Sequence, residues 1–205
     1  MNIEMSDRPL SWGALDLSLF GVANDWHGKK IDPPMAFGFV MDQKHLWFCA
    51  THQKAPKIHP EARPGEFQAE LWKYDVAEFF LQDPSTGRYL EFNLSPNGAW
   101  WSAEFTAPRI RATGEDVQFP GVATFADMAA DGSWMAAAAL PLDKLREHLN
   151  FGKDTKLNAT FIVNSPDQKF LTATKLSDGE PDFHLPDSFP TVNFFNNPTE
   201  GRSAE

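Results

Sequence analysis

The chain has 205 residues, a formal charge of −10 and a sequence pI near 5.0. This negative charge repels phosphate backbones and anionic lipid surfaces, so neither nucleic acid nor a membrane is an expected partner. The first eight residues contain no basic stretch followed by an apolar run, and no apolar run is long enough to cross a membrane. We therefore expect a cytoplasmic protein.

The prolines and glycines divide the chain into short runs that are rich in aromatic and β-branched residues, a pattern typical of many short strands. The predicted strands are Leu15–Phe20, Met35–Met41, Leu46–Thr51, Trp72–Leu81, Tyr89–Ser95, Ala99–Phe105, Val122–Ala126, Ser133–Leu140, Lys156–Val163, Phe170–Thr174 and Thr191–Phe195.

One short helix is predicted at Leu142–Leu149, because Pro141 suits a helix start and Gly152 lies just beyond the end. We predict an all-β fold, a two-sheet antiparallel β-sandwich of jelly-roll type with this one helix. Residues 1–195 form one domain in this interpretation, and residues 196–205 form a polar tail.

Cys49 is the only cysteine, which excludes an intrachain disulfide and a zinc site built from several thiolates. It lies in the apolar run 45–50, where a buried, unreactive thiol is expected.

Two turn sequences predict a three-strand meander in the middle of the chain. Residues 83–87 form a strong turn signal after the strand Trp72–Leu81, and residues 95–98 form a second one after Tyr89–Ser95. By alternation, Leu90, Phe92 and Leu94 face the core.

The other parity of the meander carries polar side chains, and we expect these to form one outer surface. The set comprises Tyr89, Glu91 and Asn93, joined by Trp100, Ser102 and Glu104 from the next strand and by Glu78 from the strand before. Asn158, Thr160 and Asn164 form a similar row in a later strand. Carboxylates, amides and aromatic rings on one face are typical of sugar binding, since rings stack on the pyranose and polar groups bind its hydroxyls.

The segments 71–81, 87–96, 98–101, 139–142 and 183–189 resemble family 9 carbohydrate-binding modules and the wider DOMON-like superfamily. The resemblance implies a β-sandwich that binds a saccharide or a related small polar ligand without catalysis. Sugar-binding members hold a terminal sugar between two tryptophans, with charged groups on its hydroxyls.

The resemblance implies that Trp72 is the first clamp residue and that Glu78 is its acidic companion. Arg88 is the candidate for the matching arginine, and Glu91, Asn93 and Trp100 are further candidate contacts. Since no tryptophan follows Trp134, the candidates for the second clamp are Phe170, Phe183 and His184.

Three alternatives stay open at this stage. The three glutamates Glu78, Glu91 and Glu104 could serve a carbohydrate-active hydrolase or lyase. Met41 and His45 could hold haem as in other DOMON-like proteins. Trp72, Trp100 and Trp101 could instead mark a surface for a protein partner.

No cofactor is predicted from the motifs. A metal site built from His45, His52 and His59 matches no known spacing. Structural calcium is left open, with Asp116 and Asp131 as oxygen ligands. The oligomeric state is not predicted.

Overall fold

The computed structural model describes residues 1–164 and 167–196 of the chain, and the predicted polar tail beyond Asn196 lies outside these ranges. Thirteen strands are seen in the described ranges: β1 Asn2–Met5, β2 Phe20–Asn24, β3 Lys30–Met41, β4 His45–His52, β5 Val76–Gln82, β6 Tyr89–Leu94, β7 Trp100–Ala107, β8 Ile110–Arg111, β9 Ala123–Met128, β10 Trp134–Pro141, β11 Lys156–Val163, β12 Lys169–Thr172 and β13 Asn193–Asn196.

The strands form two packed sheets, which confirms the predicted all-β sandwich. The first sheet has the order β13-β1-β3-β4-β10-β9, with β2 paired to β3, and the second has the order β12-β11-β5-β6-β7-β8. Pairing is antiparallel except at β1, which runs parallel to both β13 and β3.

The helix α1, Leu142–Leu149, has the predicted bounds and follows directly after β10. Pro141 occupies its N-cap, and Asn150 ends it in the left-handed conformation with φ 48°. Leu142, Leu145 and Leu149 bury one face of the helix against the main core. Within the described part of the chain, no helix has both the length and the apolar character needed to span a membrane.

The central meander forms as predicted from its turns. Gly87 N–H donates to the Asp83 carbonyl at 2.9 Å and closes the β5–β6 turn, and Gly98 N–H donates to Ser95 in the same way before β7. Gly98 has φ +84°, which a residue with a side chain rarely adopts, so the second turn depends on this glycine.

Aromatic rings fill the space between the two sheets. Phe79 lies 5.2 Å from both Phe48 and Phe92, measured between ring centroids, and Phe39 completes the group at 5.7 Å. The predicted inward row of β6 is fully buried here. Cys49 is also buried, and burial raises the pKa of its thiol to about 12, which confirms an unreactive thiol.

The predicted strand Leu15–Phe20 is wrong over most of its length, because β2 begins only at Phe20. The backbone N–H of Ser18 donates to the carboxylate of Glu4 instead of to a neighbouring strand. Leu15 and Leu17 pack on the outer face of the first sheet. The alternating pattern therefore reflects a segment that covers the sheet without joining its ladder.

Candidate functional site

A groove of about 680 Å³ opens on the outer face of the second sheet, the face directed away from the first sheet. Strands β5, β6, β7 and β11 form its floor, and the walls come from four segments that are distant in sequence. The lining residues are Trp72, Glu78, Phe80, Glu91, Trp101, Phe105, Arg109, Ile110, Arg111, Gly114, Ile162, Phe170, Pro181, Phe183 and His184.

A polar row crosses the floor of the groove from strand to strand. Thr160 lies opposite Glu78, Glu78 lies opposite Asn93, and Asn93 lies opposite Trp101 in the register of β11, β5, β6 and β7. All four side chains are buried, because loops cover this face of the sheet. The predicted polar rows of β5, β6 and β11 therefore share one face, but this face is enclosed and not solvated.

Glu78 is the most isolated acid of the floor, with 1% of its surface exposed. One carboxyl oxygen, Oε2, accepts a hydrogen bond from the Thr160 hydroxyl at 3.0 Å, while Oε1 has no hydrogen-bond partner. Burial, together with repulsion from Glu91, raises the pKa of this carboxyl well above its ordinary value. Glu78 therefore presents an unsatisfied polar atom to the groove.

Glu91 is the second acid of the floor and lies on β6, two residues before Asn93. Its Oε1 accepts a hydrogen bond from the Asn93 amide at 3.3 Å, and its Oε2 lies 3.5 Å from Nε2 of His184. Burial raises its pKa to about 7, although Asn93 and the more distant Arg111 act in the opposite direction. The two acids share one desolvated region.

His184 is a neutral group at the wall of the groove. Burial, reinforced by Arg109, lowers its pKa to about 4. The hydroxyl oxygen of Tyr89 accepts the Arg109 backbone N–H at 3.1 Å, and the Tyr89 hydroxyl lies 2.8 Å from Nδ1 of His184. When the hydroxyl donates to Nδ1, the remaining ring proton is on Nε2 and faces Glu91.

Aromatic rings stand on two sides of the buried acids. Trp72 lies in a 3-10 helix at Leu71–Lys73, not in a strand as predicted, and its half-buried ring meets Trp101 edge-on at 5.0 Å. On the other side, Phe183 lies 6.0 Å from Phe170 and belongs to the same apolar cluster as Trp72. The groove thus offers stacking surfaces above a polar floor.

The rim carries two arginines, and each has its own acid partner. Arg109 pairs with Asp182 at 2.7 Å, and Arg111 pairs with Asp116 at 2.8 Å. Arg111 also lies over the Trp101 ring, 5.6 Å from its centroid. Both arginines follow β7 and were missed from the sequence, where a two-residue strand after a turn leaves no periodic signal.

Trp100 does not lie in the groove, so its predicted placement on the polar face is wrong. The register pairs Leu94 with Trp100, and the two side chains face the first sheet. Trp100 is 7% exposed, stacks on Phe92 at 5.7 Å and donates from its indole nitrogen to the Gly65 carbonyl. The neighbouring Trp101 takes the place expected for Trp100.

The physical reason is the length of the turn before β7. The Ser95 N–H donates to the Ala99 carbonyl, and three residues lie between these two positions. Odd-numbered residues of β6 therefore lie opposite odd-numbered residues of β7, as Asn93 does opposite Trp101. A two-residue turn would have aligned the polar positions of β6 with Trp100, as the sequence analysis expected.

Arg88 and Glu104 are also outside the groove, which corrects two predicted placements. Arg88 Nη2 pairs with Glu104 Oε2 at 2.6 Å, and His148 Nδ1 lies 2.8 Å from Glu104 Oε1. Glu104 lies opposite Leu90, on the inward parity of the sheet. The arginine and the third glutamate therefore join the meander to α1.

The residues of the haem hypothesis do not come together. Met41 lies in the core between the sheets, whereas the His45 ring packs edge-on against Trp47, on the outer face of the first sheet. Residues 1–164 and 167–196 contain no group of three His, Cys, Asp or Glu side chains placed to hold a metal ion.

The two candidate calcium ligands are engaged elsewhere. Asp116 pairs with Arg111, and the Asp131 carboxylate accepts the backbone N–H and the hydroxyl of Ser133. Structural calcium stays a prediction.

No protein-family model matches the chain. Human UPF0462 protein C4orf33 is 28% identical over 142 residues, and the match covers 66% of each protein, so the chain spans just under two thirds of this relative's length.

Two solved folds are similar over almost the whole chain. The crystal structure of a Bacteroides uniformis protein to which carbohydrate binding is ascribed has a TM-score of 0.74 at 16% identity, covering 95% of this chain and 98% of that one.

The other similar fold is a family 9 carbohydrate-binding module from Caldicellulosiruptor kristjanssonii. Its complex with glucose has a TM-score of 0.62 at 9% identity and covers 96% of each chain. Its complex with cellotriose has a TM-score of 0.63 at 9% identity and covers 100% of this chain and 99% of that one. The chain has the fold of a family 9 carbohydrate-binding module. The resemblance seen in the sequence is thereby confirmed for the fold, and within the family 9 fold Trp72, Glu78, Phe183 and His184 line one groove.

Proposed function

We propose that the chain is a carbohydrate-binding module and that its groove holds the end of a saccharide. The observation that carries this proposal is the half-exposed indole of Trp72 beside the buried, unpartnered Oε1 of Glu78. An aromatic ring and a fixed polar group at one opening meet the two demands of a sugar, which has an apolar C–H face and a ring of hydroxyls. The similar family 9 module, seen with glucose and cellotriose, supports the same assignment.

The geometry also assigns parts to the other groove residues. Trp72 and Trp101 form one wall, and Phe183 with Phe170 forms the facing wall in place of a second tryptophan. Arg109 and Arg111 stand at the rim, where a charged side chain can bind outer hydroxyls without losing its own acid partner. We propose a binding function because these groups position a ligand. A protein partner is less favoured, since an enclosed polar floor fits a small ligand better.

Replacing Trp72 by alanine is expected to weaken saccharide binding about tenfold or more, because the stacking surface of the indole is lost. A glycan array with glucose and cellotriose among its ligands identifies the saccharide, and titration calorimetry of wild type and Trp72→Ala measures the change. Trp12→Ala is the matched control. Trp12 is also half-buried, but it stacks on Phe125 on the first sheet, at 5.8 Å between ring centroids.

The control should bind like wild type, and both variants should keep the wild-type circular dichroism spectrum. Equal loss in the two variants would point to a general effect on the fold and would contradict the groove as the binding site. Absence of binding across the array would refute the proposed function itself.

A further inference from the structure

The groove contains two buried acids, Glu78 and Glu91, that form no ion pair with a lysine or an arginine of the described residues. His184 lies 3.5 Å from Glu91, and Arg109 and Arg111 act on Glu91 only from a distance. The rim arginines are already paired with Asp182 and Asp116. An ionised carboxylate in a buried site needs a positive partner, so this floor suits a ligand that carries a cationic group.

The hydrogen bonds of the floor show the same imbalance. Within two register positions of Glu78, three buried acceptors have no partner, namely Glu78 Oε1, Asn93 Oδ1 and Asn158 Oδ1. Among the described residues, the unpartnered donors beside them are the indole nitrogen of Trp101 and the hydroxyl of Ser95, two residues along the chain from Asn93. When Glu78 is ionised, the three acceptors exceed the two donors, and a group that only donates would restore the balance.

The amide orientations that define this excess follow from their neighbours. Asn158 Nδ2 donates to the Thr172 hydroxyl at 2.9 Å, and that hydroxyl gives its own proton to the Thr174 carbonyl. Asn93 Nδ2 donates to Glu91. In both amides the nitrogen is used, so the oxygen is the free atom.

Aromatic rings beside these acceptors suit a positive charge. Trp72, Trp101 and Phe80 all line the groove next to Glu78, and the faces of aromatic rings attract cations. An ammonium group carries three N–H donors and no acceptor, which complements this set of groups. A hydroxyl both donates and accepts, and it leaves the charge of the acids unbalanced.

We propose that the groove selects a saccharide that carries a free ammonium group, an amino sugar, and that this group sits on the floor between Glu78 and Glu91. This inference rests on the proposed saccharide binding and specifies its ligand class. The ammonium ion takes the place of the missing basic partner, while the sugar ring lies against Trp72.

The test compares glucose with its 2-amino, 3-amino and 6-amino deoxy analogues and with N-acetylglucosamine, by titration calorimetry on the full chain. At least one amino sugar should bind about tenfold tighter than glucose near pH 7, and N-acetylglucosamine should lose this gain because its nitrogen is uncharged. Glu78→Gln keeps the size of the side chain and should lower the affinity for the amino sugar more than the affinity for glucose, so that the preference for the amino sugar is lost. Glu91→Gln serves as a second variant, and a circular dichroism spectrum like that of wild type shows that each variant is folded.

The dependence of affinity on pH adds an independent readout. Affinity for the amino sugar should rise as the floor acids ionise and fall again when the amine loses its proton, whereas glucose should show no such fall. If glucose binds as tightly as every amino sugar, or if N-acetylglucosamine binds as tightly as the amine, the ammonium proposal is overturned and saccharide binding stands. If no sugar binds, both proposals are overturned.

Discussion

Replacing Glu91 with glutamine is expected to raise the free energy of unfolding by about 2–3 kcal/mol at pH 8 and to leave it nearly unchanged at pH 4. The reason is the pKa of this buried carboxyl, which burial raises to about 7 from an ordinary value of 4.5. Glutamine has the same size and keeps an oxygen that accepts the Asn93 amide proton, but it never ionises.

The dependence on pH follows from proton binding in the two states. Below about pH 4.5 the carboxyl is protonated in the folded and the unfolded chain, so it does not affect stability. Between pH 4.5 and 7 the unfolded chain ionises first, and the folded chain loses stability as the pH rises. Above pH 7 the full penalty remains in the wild type and is absent from Glu91→Gln. Urea unfolding of both proteins at pH 4, 6 and 8 measures this difference.

Glu104→Gln is the matched control, because Glu104 is another buried glutamate on the adjacent strand but has Arg88 and His148 as partners. Loss of its charge should lower the free energy of unfolding at pH 8 by about 1 kcal/mol, the opposite direction. A Glu91→Gln variant whose advantage over wild type is no larger at pH 8 than at pH 4 would contradict the raised pKa.

The parts of the fold that could be predicted are those with strong local signals. Short runs between turn residues identified the meander β5–β7, and a proline at the start with a glycine just beyond the end identified α1. The segment Leu15–Phe20 shows the limit of this reasoning, because its alternation looks like that of a strand. Whether a segment pairs depends on its neighbours in space, and here the Ser18 N–H meets the Glu4 carboxylate instead of a strand.

The candidate site was predictable only in part, for the same physical reason. Trp72 and Glu78 were found through the family resemblance, and Phe183 and His184 as replacements for a missing tryptophan. Arg109 and Arg111 were missed because their position depends on how the chain folds back after β7. Within each strand, the sorting of residues onto two faces was correct. Which faces of two neighbouring strands coincide, however, depends on one turn residue.

Trp100 and Trp101 provide a direct test of that alignment, since they are neighbours in sequence and lie on opposite faces of the sheet. Trp100→Ala should lower the free energy of unfolding by about 3–5 kcal/mol, because it leaves a cavity beside Phe92 and Phe67 in the core between the sheets. The milder Trp100→Phe should keep the affinity for the array-selected saccharide. Trp101→Phe should weaken that affinity, because the indole lines the groove and supports Trp72.

Chemical unfolding of Trp100→Ala measures the change in the free energy of unfolding. Calorimetric titration of Trp100→Phe and Trp101→Phe measures the change in saccharide affinity. Only the ligand-binding effect separates the two positions, because both rings are buried and both substitutions cost stability. With a turn of three residues, Trp101 faces the groove and Trp100 faces the core. An equal loss of affinity in Trp100→Phe and Trp101→Phe would mean that ligand binding responds to the stability of the whole sandwich, and it would contradict the groove assignment.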